Sequence, residues 1–284
     1  MPLLQRRTFL AAAGGAVLSG CSATGALNAL VPSGTYRAEE GIAYGPLARQ
    51  RLDAYLPLQP VADAPLVVFF YGGSWSSGER GSYRFVGEAL ASAGIATVIP
   101  DYRLSPQVQW QEILRDCAAA TDWAASNAQR LGAAPRRLHL MGHSAGAYNA
   151  AMLALDARWL RQHGRDPREL AGWIGVAGPY DFLPISDPAT RRAFGWPGTP
   201  RESQPIAHVG PQAPRTLLLA ARDDGTVHPQ RNSGGLAQRL REAGVPVQLE
   251  FFEGVNHVTV IAALATPLRH LAPVRQEVLQ FVRA

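Results

Sequence analysis

A chain of 284 residues that is 47% hydrophobic and 17% charged, with a net charge of +5, can bury one large core or two small ones and lacks the composition of an unfolded chain. All 27 of its Lys+Arg positions are arginine, which excludes a phosphate-loop lysine, a Schiff-base lysine and a Ser-x-x-Lys acyl-transfer dyad. The arginines alternate with acids, as in Arg165-Asp166-Pro167-Arg168-Glu169, and so read as a solvated surface and not as a nucleic-acid footprint.

Residues 1–20 have the features of an export signal: Arg6-Arg7-Thr8-Phe9-Leu10 opens an Ala/Gly-rich apolar stretch that ends at Leu18. The stretch is shorter than the roughly 20 residues that span a bilayer. Arg6-Arg7 resembles a twin-arginine export motif, and Leu18-Ser19-Gly20-Cys21 resembles a lipobox. The expectation is a mature protein that begins at a lipidated Cys21 and is anchored to the membrane on the periplasmic side of a bacterial envelope. Residues 21–35 have no clear period and are expected to form a flexible tether. The folded domain is expected over 36–284.

From there, short Val/Ile/Leu/Phe runs alternate with segments of helical period. Strands are expected at Arg51–Leu56, Leu66–Tyr71, Ala96–Tyr102, Arg137–Gly142, Trp173–Ala177, Thr216–Ala221 and Val247–Phe252. Helices are expected at Tyr83–Ala93, Gln109–Leu131, Ala145–His163, Gln230–Ala243 and Leu268–Arg283. Most of these strands are apolar throughout, as in a mostly parallel central sheet with helices on both faces; the fold class is α/β. The Pro- and polar-rich stretch Pro179–Pro214 breaks the alternation and is the expected place for a lid or a substrate-binding excursion.

Gly142-His143-Ser144-Ala145-Gly146 is a Gly-x-Ser-x-Gly pattern between a strand and a helix. A serine at such a sharp turn has its Oγ thrust above the sheet, beside a helix N-terminus. A serine hydroxyl needs a base, and the base needs an orienting carboxylate. Asp223-Asp224 follows the strand Thr216–Ala221, and His257 follows the strand Val247–Phe252, both on the ligand-binding edge of such a sheet. The Asp-x-x-Val spacing to Val227 favours Asp224 over Asp223, and Asp181 is a rival position. Of seven histidines, His257 alone combines this placement with a preceding Gly-x-x turn. His143 reads as structural, and His139 as pointing into or behind the sheet. No His-Glu-x-x-His or Cys/His cluster exists, so no metal is expected. Two cysteines, Cys21 and Cys117, are too few for a disulfide framework. Oxyanion donors are expected at the N–H groups of Ala145, Gly73 and Ser74, the latter two in Tyr71-Gly72-Gly73-Ser74-Trp75. Trp75, Tyr180 and Phe182, with Phe194 and Trp196, are expected near an apolar acyl pocket.

These segments, together with Asp101-Tyr102-Arg103-Leu104-Ser105-Pro106, resemble α/β-hydrolases of the carboxylesterase, hormone-sensitive-lipase-like and feruloyl-esterase-like group over about residues 40–284. Tyr71 stands where that group usually has histidine, and Ser74 where lipase-like members often have a third glycine. The resemblance implies hydrolysis of a small-molecule carboxylic ester through an acyl-enzyme, without a cofactor. Arylformamidases share the pattern, so amide hydrolysis is one alternative; a non-catalytic binding protein on the same fold is another.

Overall fold

The computed structural model describes residues 23–59 and 61–284. Their centre is an eight-stranded sheet of order β1-β2-β4-β3-β5-β6-β7-β8. The strands are β1 (Arg37–Ala43), β2 (Arg51–Leu56), β3 (Leu66–Phe70), β4 (Ala96–Pro100), β5 (Leu138–His143), β6 (Gly172–Val176), β7 (Thr216–Ala221) and β8 (Val247–Phe252). β3 through β8 run parallel, whereas β1 and β2 are antiparallel to their neighbours. Every residue of β3, β4, β5, β6 and β7 is buried, because helices cover both faces. This is the mostly parallel, doubly covered sheet that the continuous apolar runs imply.

The helices are α1 (Ala23–Ala29), α2 (Arg84–Ala91), α3 (Trp110–Ser126), α4 (Ala145–Leu155), α5 (Arg158–Arg161), α6 (Pro188–Phe194), α7 (Gly235–Glu242), α8 (Thr259–Ala262) and α9 (Val274–Arg283). Several expected helices are shorter in the structure. The one from Ala145 divides at Asp156, whose φ of −107° and ψ of 98° leave the helical region. The last begins only after Pro273, which has no N–H to continue a helix toward its N-terminus. Within the Pro-rich excursion, α6 starts where Asp187 accepts a hydrogen bond from the Thr190 N–H at 2.7 Å.

Two segments depart from the sequence reading. β1 is a charged edge strand, Arg-Ala-Glu-Glu-Gly-Ile-Ala, with a register shift between Glu39 and Ile42; its partner β2, not its own pattern, makes it a strand. The expected tether over 21–35 is corrected in its described part. Ala23–Ala29 forms α1, Asn28 accepts from the Phe85 N–H at 3.3 Å, and Leu27, Val31 and Tyr36 pack against the core. The export signal over 1–20 and Cys21 lie outside the described residues. Among those described, no helix is long and apolar enough to cross a membrane.

Candidate active site

β5 passes into α4 through a single residue, Ser144, at φ 54° and ψ −123°. A non-glycine residue with positive φ is strained and persists only where its surroundings hold it. The flanking glycines make that possible. A Cβ on Gly142 would lie 2.1 Å from the Gly146 carbonyl oxygen, and one on Gly146 would lie 2.0 Å from that of Phe70, so the close crossing of strand and helix admits only hydrogen at both positions. The turn presents the Ser144 Oγ above the C-terminal edge of the sheet, beside the first N–H groups of α4.

Two loops from the same edge meet that oxygen. After β8, Gly254 at φ 73° turns the chain, and Asn256 Oδ1 accepts from the N–H groups of Val258 and Thr259, each at 3.0 Å, to start α8. His257 lies in this turn, with Nε2 2.9 Å from the Ser144 Oγ and Nδ1 2.7 Å from Asp224 Oδ2. After β7, the Asp224 side chain is fully buried, and its Oδ1 accepts from the N–H groups of Thr226 and Val227 at 2.8 and 2.9 Å. Burial raises the pKa of this carboxyl, but the bonds from His257 and the two N–H groups outweigh it and hold it below the ordinary carboxylate value. An ionised Asp224 only accepts, so Nδ1 of His257 carries its proton and the Nε2 lone pair faces Ser144. Asp223 is exposed, and Asp181 pairs with Arg231 at 3.2 Å; neither makes this contact.

The glycine loop after β3 lies against the nucleophile: a Cβ on Gly72 would come within 2.9 Å of the Ser144 Cβ. Gly73, Ser74 and Trp75 take φ values of 130°, 50° and 56° in succession. Tyr71 braces the loop from behind. Its hydroxyl donates to Asp101 Oδ1 and accepts from Arg49, both at 2.9 Å, while Arg49 also donates to the Gly78 carbonyl at 2.9 Å. Burial, then the Asp101 charge, push the Tyr71 hydroxyl well above its usual pKa, so it remains a donor. These bonds give Tyr71 a structural use in holding the glycine loop.

A cavity of about 230 Å³ opens beside Ser144, bounded by Ser74, Trp75, Ala145, Phe182 and Val227, among others. Trp75 and Phe182 both line it, stacked with ring centroids 5.9 Å apart. Tyr180 does not. It is completely buried, and its ring fills the hollows above Gly175 and Gly178, where a Cβ would lie 1.9 and 2.4 Å from its hydroxyl. Phe194 stands behind the cavity wall, edge-on to Trp75 at 4.8 Å. Ile185 and Val227 line the cavity but carry no sequence signal that sets them apart from core aliphatics. Among the described residues no group of His, Cys, Asp and Glu could hold a metal ion, and Cys117 is a buried free thiol.

Sheet order, elbow and the serine, histidine and aspartate at three strand ends define an α/β-hydrolase. Comparison with known proteins narrows this. A family model described as BD-FAE matches residues 52–240, and the chain belongs to that family. It is 27% identical over 248 residues to a probable isoprenylcysteine alpha-carbonyl methylesterase of Oryza sativa subsp. japonica, covering 80% of this chain and 59% of that one. It is 30% identical over 159 residues to the kynurenine formamidase of Danio rerio, covering 54% of this chain and 52% of that one. The chain thus spans between half and six-tenths of the length of these relatives. Among solved structures, esterase B from Lactobacillus rhamnosis superposes with a TM-score of 0.79 at 21% identity, over 92% of this chain and 91% of that one, a likeness of fold.

Proposed function

We propose that the protein is a serine esterase that cleaves small carboxylic esters through an acyl-enzyme. The observation that carries this reading is the unbroken hydrogen-bond series from Ser144 Oγ through His257 to Asp224 on a strained elbow. In this scheme Ser144 Oγ attacks the ester carbonyl while His257 Nε2 takes its proton. Asp224 stabilises the imidazolium, and the N–H groups of Gly73, Ser74 and Ala145 receive the oxyanion. His257 then protonates the leaving alcohol, and water repeats the sequence to release the acid. The scheme uses no metal or organic cofactor. Family membership and the methylesterase relative support it.

The test is a fluorophosphonate probe followed by mass spectrometry, with a panel of p-nitrophenyl esters, N-formyl amides and peptide anilides. Expected are a phosphonylated Ser144 peptide and turnover fastest on esters; no label and no turnover would overturn the reading and leave a non-catalytic binding protein. The formamidase relative favours a second reading, amide cleavage by the same residues, and the panel separates the two by rank.

The small cavity limits the acyl group. Phe182→Ala removes one wall, and kcat/KM for longer acyl chains is expected to rise by roughly fourfold per added methylene over wild type, the value of burying about one CH₂ group. A chain-length series of p-nitrophenyl esters reads this directly; an unchanged profile would remove Phe182 from the acyl site.

We also propose that the mature protein is lipidated at Cys21, after export through the Arg6-Arg7 signal, and anchored at the periplasmic side of a bacterial envelope. Leu18-Ser19-Gly20-Cys21 supports this. Because α1 begins at Ala23 and docks on the body through Asn28, the anchor would hold the hydrolase close to the bilayer and not on a long tether. Cys21→Ser is expected to release active enzyme into the soluble fraction, followed by fractionation and ester turnover; a wild-type protein that starts at Met1 without lipid would refute the anchor and leave the esterase reading intact.

A further inference from the structure

Ser144 and His257 sit on separate elements, yet the base works only if their 2.9 Å contact is kept. His143, the residue between Gly142 and Ser144, is buried with its side chain against the His257 turn. Its Nε2 lies 2.9 Å from the backbone carbonyl oxygen of His257, and the two imidazole rings are 5.1 Å apart. A carbonyl oxygen can only accept, so Nε2 carries the proton. Burial, then the neighbouring His257, hold the pKa of His143 down to about 3, so the ring is a neutral donor at neutral pH. Its other nitrogen, Nδ1, is buried with no partner among the described residues. An unpaired buried nitrogen is unfavourable. Packing alone therefore favours an aliphatic side chain here, and what the imidazole adds is the Nε2 bond.

We infer that His143 is a positioning residue: its Nε2–H grips the carbonyl of His257 and thereby sets the general base over Ser144. Because His143 and Ser144 are consecutive, this one bond ties the nucleophile's own turn to the loop that carries the base. The inference rests on the esterase reading for its kinetic consequence, but the grip itself is measurable without turnover.

Glutamine and methionine at position 143 are close in size and shape and differ in the N–H. His143→Gln is expected to keep kcat within about threefold of wild type, whereas His143→Met lowers it about tenfold, as loss of one hydrogen bond does, with KM little changed. His143→Phe, a flat ring without the donor, should match the methionine variant. All three should reach full fluorophosphonate labelling of Ser144 at long times, which reports a folded elbow, with the rate slowed only in the two variants that lack the donor. Amide hydrogen exchange supplies the second readout: the peptide spanning 253–259 should exchange faster in the methionine and phenylalanine variants and at the wild-type rate in the glutamine variant. Equal rates and equal exchange in the glutamine and methionine variants, whether both fast or both slow, would overturn the positioning role. Altered exchange in a protein whose Ser144 never reacts would instead overturn the esterase reading and leave the grip standing.

Discussion

Ser144→Ala is expected to lower turnover of a short p-nitrophenyl ester by about 10⁶-fold, to the residual rate that oxyanion donors and binding alone supply. The substitution removes one oxygen and nothing else. Alanine has the same Cβ, so the strain at φ 54° and the approach of Gly72 are unchanged, and the melting temperature should stay at the wild-type value. The fluorophosphonate adduct should disappear with the activity. His257→Ala should lose nearly as much, and the double variant no more than the worse single one, because nucleophile and base act as a unit. Full activity in the alanine variant, with its fold intact, would show that another residue attacks the substrate.

The elbow was legible in the sequence because its causes are local: two glycines, a serine, an apolar strand before and a helix after. The central strands were legible because burial on both faces leaves runs such as Leu66–Phe70 with no polar residue. β1 was not, since its seven residues have no apolar run and become a strand only by pairing with β2. α1 was missed for a related reason: a helix of under two turns has little period to read, and Asn28 at Phe85 fixes it from outside. Tyr180 was misplaced because its ring direction depends on hollows left by Gly175 and Gly178, a relation across space that neither spacing nor composition carries. His143 read as structural from its place inside the elbow, and its bond to a main-chain carbonyl 114 residues away is a relation that no local pattern announces.

Asp224→Asn is expected to cost about 10⁴-fold in kcat while leaving the fold in place, the loss seen when the imidazole of such a triad is held in the wrong tautomer. The direction follows from the hydrogen bonds. The substituted side-chain amide would keep its carbonyl oxygen on the Thr226 and Val227 N–H groups, the contacts now made by Asp224 Oδ1 at 2.8 and 2.9 Å. Its nitrogen would then occupy the place of Oδ2, 2.7 Å from His257 Nδ1. A donor there requires Nδ1 to accept, which moves the ring proton to Nε2, and Nε2 so protonated can only donate to the Ser144 Oγ. The base is then occupied before the reaction begins, and the negative charge that would stabilise the imidazolium is gone. Asp223→Asn is the control: that exposed side chain makes none of these contacts, so kcat should remain within about threefold of wild type, as for surface substitutions away from a site. Ester turnover of the two variants, with thermal melts to verify folding, decides the matter, and a large loss confined to Asp223→Asn would move the orienting carboxylate one residue back along the loop.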